Sequence, residues 1–334
     1  MFKVQHSHPP RRRGWLQRTF TKHIITIMVS LYDLVIIGAG PAGLAASIYA
    51  SRYGIKHIVL GINLGGTIAL AHQVENYPGF TSISGTELSQ KFLEHAKSLG
   101  AQIENREVIA IEKLNNGYLI KTNNDHQYQT KTIIIATGTK RRHLNIPGEE
   151  KYTGRGVSYC ATCDAPFYKN KIAIVIGGAN AACSGAIHLA NFAQKVYLIY
   201  RRSKLRAEPA WVNQVLQNPK IEIIYDTNIT KIDGNNNKVQ KVQLDKAYQG
   251  GKKLSTDGVF VEIGGVPVAG IAKNLGIKTD ENNYIITDNH MATNIPGIYC
   301  AGDTNAFQKY FQQVVTAVAE GAVASLSIYQ HLKQ

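Results

Sequence analysis

The sequence predicts an α/β protein with two dinucleotide-binding units that follow one another along the chain. Short apolar runs at residues 34–37 and 172–176 each lead into a glycine-containing turn and then into a helical segment. Further apolar runs at 58–60 and 196–200 follow these helices, so the strand–helix–strand order of a βαβ unit occurs twice. A chain of 334 residues is long enough for about two domains.

The segments between and after these units predict the remaining elements. Residues 84–99 place apolar side chains on one helical face, and residues 107–135 read as antiparallel strands around Asn-rich turns. A second antiparallel section is expected over residues 221–263. The chain should end with a strand that meets an acidic turn at residues 297–303, followed by a helix over residues 312–332.

Composition and charge exclude several classes of protein. The chain is 44% hydrophobic and 18% charged, as in globular proteins, and the uncharged stretch 34–51 is broken by glycines and a proline, so no transmembrane helix is predicted. The net charge is +14, but no segment interleaves aromatic with basic residues, so we expect no nucleic-acid partner. Four cysteines are too few for a secreted disulfide scaffold, which favours a cytoplasmic protein.

Residues 1–27 form a basic N-terminal extension. They contain six Lys or Arg residues and no acid, a composition similar to that of a transit peptide. A disordered tail is one alternative, and an upstream start codon is another, because Met28 leads directly into the first predicted strand. We expect the extension to be disordered and to lie outside the folded units.

The first glycine turn matches the G-x-G-x-x-G dinucleotide fingerprint. Gly38 allows the tight turn, Gly40 lets a pyrophosphate approach the backbone, and Gly43 lets helix and strand pack closely. Pro41 and Ala42 open the helix, whose N-terminus offers free N–H groups to the phosphates. The acid expected about 20 residues later for the ribose is absent, because an uncharged Leu-Gly-Ile stands there.

The second glycine turn is a degenerate version of the same motif. Gly177 and Gly178 are followed by Ala179, whose methyl group should crowd a pyrophosphate. Basic side chains follow the next strand at Arg201, Arg202 and Arg206. Guanidinium groups at this place bind the 2′-phosphate of NADP, so the arginines favour NADPH over NADH, and a solvated basic helix start is the alternative.

A C-x-x-C pair lies between the two units. Structural zinc would need two more ligands at finger or ribbon spacing, which the isolated Cys183 and Cys300 do not supply, so we predict no metal site. Cys160 and Cys163 instead fit a redox dithiol that closes a small disulfide at a loop or helix start. Asp164 is a candidate proton donor and acceptor for the leaving thiolate, with a helix N-cap as the alternative.

Together these motifs resemble the low-molecular-weight, bacterial-type thioredoxin reductases, over nearly all of residues 32–332. The stretches that carry the resemblance are the first glycine turn, Val74–Gly79, Ala136–Gly138, Val157–Asp164 with its Cys-Ala-Thr-Cys-Asp order, the three arginines, Ala301–Asp303 and Gln313–Thr316.

The resemblance implies two Rossmann-like domains of the three-layer ββα type, the second inserted in the first. An FAD-binding domain would comprise residues 28–146 and 265–334, and an NADPH-binding domain carrying the dithiol would comprise residues 147–264. The resemblance also implies a homodimer and a rotation of one domain against the other. In one orientation the dithiol faces the flavin, and in the other NADPH faces the flavin while the dithiol meets thioredoxin.

The resemblance also implies roles for particular residues. Cys163 would face the flavin and Cys160 would attack the partner disulfide, while Asp303 would bind the ribityl chain. The other residues expected near FAD are Gly66, Thr67, Asn76, Val108 and Gln313, and those expected near NADPH include Gly177. The sequence departs from the family pattern at Thr67, Ala179, Ser184, Gly185, Tyr200 and Gln312, where the family usually has Gln, Gly, two Glu, His and a basic residue.

The function expected from these residues is thioredoxin-disulfide reduction, with electrons passing from NADPH through FAD and the dithiol to a thioredoxin-like protein. A relative that does not use NADPH, either a ferredoxin-dependent flavin thioredoxin reductase or an oxygen-using dithiol oxidase, is the alternative that the degenerate second turn favours. A non-catalytic nucleotide-binding redox sensor is a further alternative, against which the intact dithiol argues.

Overall fold

A computed structural model of the chain describes residues 30–123, 125–235 and 238–334. The predicted extension at residues 1–27 and the alternative start at Met28 lie outside the described residues. The strands are β1 (Ser30–Ile37), β2 (His57–Leu60), β3 (Gln102–Glu104), β4 (Val108–Leu114), β5 (Gly117–Thr122), β6 (Gln127–Ile135), β7 (Thr139–Arg141), β8 (Val157–Ser158), β9 (Ile172–Ile176), β10 (Lys195–Ile199), β11 (Ile221–Ile224), β12 (Ile229–Asn235), β13 (Lys238–Tyr248), β14 (Gly251–Ser255), β15 (Gly258–Val261), β16 (Gly265–Pro267) and β17 (Ile298–Cys300).

Short 3₁₀ turns cover Thr67–Leu70 and Ala165–Tyr168. The α-helices are α1 (Pro41–Arg52), α2 (Gly85–Ser98), α3 (Glu149–Tyr152), α4 (Ala161–Asp164), α5 (Asn180–Ala190), α6 (Pro209–Gln217), α7 (Gly270–Lys273) and α8 (Val314–His331). Among the helices of the described ranges, none is both long enough and apolar enough to cross a membrane.

The first unit is built on a seven-stranded sheet. Its strand order is β3-β2-β1-β6-β5-β4, and β17 pairs in parallel with β6. The strand β1 runs parallel to both β2 and β6, and its residues 34–37 are buried on both faces, which explains their continuous apolar character. Helices α1 and α8 cover one face of this sheet, so the C-terminal helix completes the core begun by the N-terminal strand.

The second unit has three layers. A five-stranded parallel sheet, in the order β11-β10-β9-β15-β8, packs on one side against helix α5. The antiparallel sheet β12-β13-β14 covers its other side, with Ile232 and Val242 packed against Ile174 and Val259. This arrangement agrees with the predicted ββα type.

The prediction of one antiparallel section over residues 221–263 was wrong at both ends. Strand β11 pairs in parallel with β10, and β15 pairs in parallel with β9 and β8. The strand β15 is buried at all four positions, which is the pattern of a strand inside a parallel sheet. The antiparallel part is limited to β12, β13 and β14.

A short ribbon joins the two units. Strand β7 pairs antiparallel with β16, and the register sets Arg141 opposite Gly265 and Thr139 opposite Pro267. The chain passes into the second unit after β7 and returns to the first unit through β16. Only three residues of each strand form this connection.

Candidate functional site

The first glycine turn brings three backbone segments closer together than side chains would allow. Gly38 has φ +118°, and a Cβ added there would overlap the carbonyl oxygen of Ala136. A Cβ on Gly43 would overlap the carbonyl oxygen of Gly38, so helix α1 can lie against the turn only because this residue has no side chain. Gly38 therefore has the positive φ that its predicted tight turn requires, and Gly43 has the close contact with the strand that its predicted packing role requires.

The middle glycine faces a second loop. Gly40 is the N-cap of α1 in an extended conformation (φ −85°, ψ −173°), and a Cβ on it would lie 3.5 Å from the Cα of Gly66. A Cβ on Gly66 would come within 2.7 Å of the Cα of Gly40. Two stretches of bare backbone thus form a floor where a pyrophosphate could reach the free N–H groups of the helix.

This floor opens into a cavity of about 900 Å³ that both units line. The predicted FAD residues that line it are Gly38, Gly40, Pro41, Ala42, Gly66, Thr67, Asn76, Val108, Asp303 and Gln313. The residues of the second unit that line it include Ala161, Thr162, Asn180, Ala181, Ser184, Gly185, Glu208, Trp211 and Glu262. Its volume lies at the upper end of the range for cofactor pockets, and its backbone floor suits a dinucleotide.

Hydrogen bonds fix the polar side chains on the first unit's side of the cavity. Asn76 Nδ2 donates to Gln313 Oε1 over 2.9 Å, although the two residues are 237 positions apart. Gln313 is also the N-cap of α8, in a capping box with Thr316. Gln312, which stands where the family usually has a basic residue, donates to the backbone oxygen of Asp303 at 3.0 Å. The helix start is therefore tied to the acidic turn.

Two carboxyl groups, those of Asp303 and Glu320, lie at this acidic turn. Burial raises the pKa of Asp303 to about 6. Burial also raises the pKa of Glu320 to about 7, an effect that Asp303 increases and that hydrogen bonds oppose. Glu320 Oε2 accepts these bonds from the Gly302 N–H at 2.7 Å and from Asn305 Nδ2 at 3.3 Å. Glu320 therefore supports the backbone of the residue that precedes Asp303.

The second glycine turn has a backbone similar to that of the first. A Cβ on Gly177 would overlap the carbonyl oxygen of Glu262, so this turn is also in backbone contact with a neighbouring strand end. Ala179 is the N-cap of α5 with φ −104° and ψ −176°, nearly the conformation of Gly40. Alanine adopts this conformation without strain, so the substitution adds a methyl group but does not distort the turn.

The arginines lie outside the cavity, at the exposed side of the second turn. The Arg206 N–H donates to the Gly178 carbonyl oxygen at 2.8 Å, which fastens the arginine segment to the turn. The ring of Tyr200 packs over Gly178, where an added Cβ would lie 2.6 Å from it. Arg201, Arg202 and Arg206 are all exposed, and within the described ranges their guanidinium groups form no ion pair. The three guanidinium groups can therefore bind an anion.

Cys160 and Cys163 form a disulfide, with their Cα atoms 5.4 Å apart. Cys160 is the N-cap of α4, and its Sγ accepts a hydrogen bond from the Cys163 N–H at 3.2 Å. Cys163 is exposed, whereas Cys160 is partly buried. Cys183 and Cys300 are buried and free, and burial raises the pKa of both thiols, to about 11 for Cys183.

Asp164 ends α4 and is partly buried. It precedes the turn Ala165–Tyr168, but its side chain makes no capping hydrogen bond there, so the N-cap alternative is not supported by the geometry. Its charge contributes to the raised pKa of Tyr168, after the larger effect of burial. The carboxylate therefore lies next to the disulfide without a capping role.

Two contacts that cross between the units were not predicted from the sequence. Arg141 Nη1 donates to Glu262 Oε2 at 2.7 Å, from the ribbon to the end of β15. The rings of His72 and His188 are stacked with their centroids 3.7 Å apart. Each pair is separated by more than one hundred residues and consists of ordinary residue types, so no local pattern could have indicated it.

Comparisons with known proteins agree with this site. Residues 32–321 match the family model described as pyridine nucleotide-disulphide oxidoreductase. A thioredoxin reductase of Bacillus subtilis (strain 168) is 38% identical over 309 residues, which are 91% of this chain and 96% of the relative.

Two solved structures show the same fold at different levels of overlap. The FR conformation of Lactococcus lactis thioredoxin reductase has a TM-score of 0.86 at 42% identity, covering 90% of this chain and 99% of that chain. The thioredoxin reductase of Streptococcus pyogenes MGAS5005 has a TM-score of only 0.60 at 40% identity, covering 91% of this chain and 99% of that chain.

The fold and the site define a flavin- and nucleotide-dependent type of disulfide oxidoreductase, and this chain belongs to the pyridine nucleotide-disulphide oxidoreductase family. Within that family, the resemblance to the bacterial-type thioredoxin reductases that the motifs predicted is confirmed by the relatives that the chain matches.

The floor formed by Gly40 and Gly66 gives a first prediction. Gly40→Ala should fold, because φ is negative and the new Cβ would lie 3.5 Å from its nearest neighbour, but the methyl group would occupy the phosphate floor. Loss of one charge-assisted hydrogen bond, about 1.5–3 kcal/mol, corresponds to roughly tenfold to hundredfold weaker FAD binding. Flavin titration of the apoprotein measures this change.

A matched control is Gly251→Ala in β14, where an added Cβ has no neighbour closer than 4.0 Å. Its FAD affinity should equal that of the wild type. Full FAD affinity in Gly40→Ala would show that no phosphate rests on this floor.

The two raised carboxyl pKa values give a second prediction. A folded-state pKa above the unfolded value means that stability is complete below the ordinary pKa near 4 and is lost as pH rises through the folded value. For Glu320 that loss extends to about pH 7. Glu320→Gln stays neutral, so the apoprotein variant should match the wild type near pH 4 and exceed it in Tm near pH 8.

Thermal unfolding across this pH range tests the expectation, with Glu94→Gln on the exposed side of α2 as the control. A difference between Glu320→Gln and the wild type that does not depend on pH would mean that Glu320 is not protonated in the folded apoprotein.

Proposed function

We propose that this chain is a thioredoxin-disulfide reductase that transfers electrons from NADPH through FAD and the Cys160–Cys163 disulfide to a thioredoxin-like protein. The observation that carries the proposal is the position of the disulfide. Ala161 and Thr162, the two residues between the cysteines, line the cavity that contains the first glycine turn. A redox-active cysteine pair therefore borders a dinucleotide pocket.

FAD would occupy the cavity on the side of the first unit. The floor at Gly40 and Gly66 would receive its pyrophosphate, and the turn at Asp303, held by Glu320 and Gln312, would receive the ribityl chain. Asn76 and Gln313, fixed to each other, would orient polar groups of the ring system. When bound, the flavin would accept a hydride from the nicotinamide and supply two electrons to the disulfide.

NADPH would bind at the second turn. Its 2′-phosphate would be held by the exposed guanidinium groups of Arg201, Arg202 and Arg206, the last of which is fastened to the Gly178 carbonyl. The N-terminal part of α5, at Asn180 and Ala181, lines the shared cavity, so a nucleotide on this turn would extend towards the first unit. The charge of the arginines therefore supports binding of the NADPH 2′-phosphate, and the position of α5 at the shared cavity supports the approach of the other end of NADPH to the first unit.

The dithiol chemistry follows from the position of the sulfurs. Two electrons and a proton convert the Cys160–Cys163 bond into one thiol and one thiolate, and Asp164 is the nearest carboxyl in sequence to carry the proton. The Cys163 N–H that now points at Cys160 Sγ would stabilise a thiolate there. That thiolate would attack the partner disulfide, and the Cys163 thiol would then resolve the mixed disulfide, which releases the reduced partner.

We infer that the two units have the orientation expected for flavin reduction, in which Cys163 is exposed to a partner. The start of α5, directly after the second turn, lines the same cavity as the first turn. The two structural neighbours have nearly equal identity to this chain but TM-scores of 0.86 and 0.60, which is expected if their units are rotated differently. We place the moving domain at residues 147–264 and the FAD domain at residues 28–146 and 265–334.

We also propose that the protein is a cytoplasmic homodimer, as the family resemblance implies. The alternative of an NADPH-independent enzyme is less supported, because the relatives described above are named as thioredoxin reductases and the arginine segment is intact. The added methyl group of Ala179 favours that alternative, so the electron donor is the point to test first.

An anaerobic titration of the flavin absorbance with NADPH tests the donor. We expect stoichiometric bleaching by NADPH and poor bleaching by NADH. Replacement of Arg201 by alanine should weaken NADPH by roughly tenfold to hundredfold, the effect of one charge-assisted phosphate contact, and should leave the reaction with NADH unchanged.

The reaction with NADH is the internal control, because NADH lacks the 2′-phosphate. A flavin that dithionite reduces but neither nucleotide bleaches would exclude NADPH as the donor and would favour a ferredoxin or a dithiol substrate.

Replacement of either active-site cysteine tests the route through the disulfide. Cys160→Ser should retain FAD and its reduction by NADPH, but turnover with thioredoxin should fall below detection because no mixed disulfide can form. Steady-state thioredoxin reduction measures this, with Cys183→Ser as the control for a buried cysteine outside the site. Turnover that survives in Cys160→Ser would contradict the proposed route.

A further inference from the structure

A cluster of three hydrogen-bonded side chains lies directly before the disulfide. The hydroxyl group of Tyr159, the residue that precedes Cys160, donates to Glu149 Oε1 at 2.7 Å. His143 Nδ1 lies 2.8 Å from the same hydroxyl oxygen, and its ring meets the ring of Tyr159 edge to face with 4.9 Å between the centroids. None of the three residues lines the shared cavity. We call Glu149, Tyr159 and His143 the Tyr159 cluster.

The positions of the protons in the Tyr159 cluster follow from its geometry. A carboxylate only accepts, so the single hydroxyl proton of Tyr159 points to Glu149, and the hydroxyl oxygen is left to accept from the N–H of His143 Nδ1. Burial raises the pKa of Tyr159 to about 12, and Glu149 adds to this shift. The hydroxyl group therefore keeps its proton near neutral pH and continues to donate to Glu149.

Glu149 can hold Tyr159 because its own carboxylate is fixed. The residue is only 4% exposed. Its Oε1 also accepts from the Leu144 N–H at 2.8 Å, and its Oε2 accepts from the Asn145 N–H at 2.7 Å. Hydrogen bonds to an ionised group are stronger than those between neutral groups, and a buried carboxylate loses stability when one is removed. Tyr159 is therefore attached to a fixed, buried group and not to a mobile surface side chain.

The backbone on both sides of Tyr159 is also held. Ser158 belongs to β8, where it pairs with Phe260 of β15, and its Oγ accepts from the Cys160 N–H at 3.0 Å. Neither this contact nor the Tyr159 cluster involves a sulfur atom, so opening of the disulfide does not itself remove them. In the reduced protein these contacts constrain Cys160 from its N-terminal side.

We propose that Tyr159 is a positioning residue that keeps Cys160 beside Cys163 in the reduced protein and thereby stabilises the disulfide against reduction. The proposal rests on the proposed function only in taking the disulfide as redox-active. Two thiols that are held side by side form a disulfide more readily than two thiols that move apart, because less conformational freedom is lost when the bond closes. A looser Cys160 should therefore favour the dithiol, in which that freedom is available.

Tyr159→Phe tests the proposal, because it keeps the ring and removes only the hydroxyl group. The full-length, FAD-loaded protein is equilibrated without oxygen in mixtures of reduced and oxidised dithiothreitol. Reduced dithiothreitol gives two electrons and two protons to the Cys160–Cys163 disulfide and closes to its own cyclic disulfide. Acid quenching, alkylation and mass spectrometry then measure the reduced fraction of the pair. The ratio of reduced to oxidised dithiothreitol at half reduction should fall about fivefold, the effect of releasing one ordered side chain.

A matched control is Tyr118→Phe. Tyr118 likewise donates from its hydroxyl group to a fixed acceptor, the Pro296 carbonyl oxygen at 2.6 Å, but it lies in β5 of the first unit. The control should be half reduced at the wild-type ratio even where its Tm is lower. Equal ratios in the wild type, Tyr159→Phe and Tyr118→Phe would overturn the proposal.

A double variant decides the matter if Tyr159→Phe alone does not fold. Glu149→Gln combined with Tyr159→Phe leaves no buried charge short of a donor, and it should lower the half-reduction ratio by a similar factor. A wild-type ratio in the double variant would contradict the role of Tyr159. A wild-type protein that cannot reduce thioredoxin with NADPH would defeat the proposed function, whereas the equilibrium with dithiothreitol would still test the role of Tyr159.

Discussion

The relative position of the two units depends on the short ribbon formed by Thr139–Arg141 and Gly265–Pro267, which connects them. Each unit has its own hydrophobic core, on both faces of its own sheet. The connection between them has only three paired positions. Because the cores are stiff and the ribbon is short, the relative position of the units depends on a few side-chain contacts near it.

This constraint explains why one cavity can receive groups from both units. In a parallel sheet, the turns that bind nucleotides lie at the carboxyl ends of the strands. The strands β1 and β9 both end in such a turn, and the ribbon allows the two ends to face each other. The cysteine pair follows β8, which is parallel to β15 and therefore has its carboxyl end at the same edge of the sheet as β9. The position of the disulfide therefore follows from the order of the strands in this sheet.

Features that depend on neighbours in the chain could be predicted from the sequence. Gly38, Gly40 and Gly43 belong to a strand–turn–helix segment of a few residues, and the backbone contacts at Gly38 and Gly43 fit the steric roles expected of them. The disulfide also depends on a spacing of three residues. The pairing of β11 and β15 could not be predicted, because a short apolar strand has the same pattern whether its partner is parallel or antiparallel. The Arg141–Glu262 contact was missed because it spans 121 positions.

The two glycine turns differ in a way that suits the different times for which the proposed cofactors must stay bound. Gly40 lies in a floor of bare backbone inside a cavity, where a pyrophosphate would lose its water and be held by many N–H groups. Ala179 has the same backbone conformation, but its methyl group limits that approach, and the positive charge lies on exposed arginines instead. Exposed charges attract a phosphate rapidly but are screened by water and salt, so they release it rapidly as well. This division between backbone and side-chain binding suits the proposed pair of cofactors, a flavin that stays bound and a nicotinamide nucleotide that leaves in every cycle.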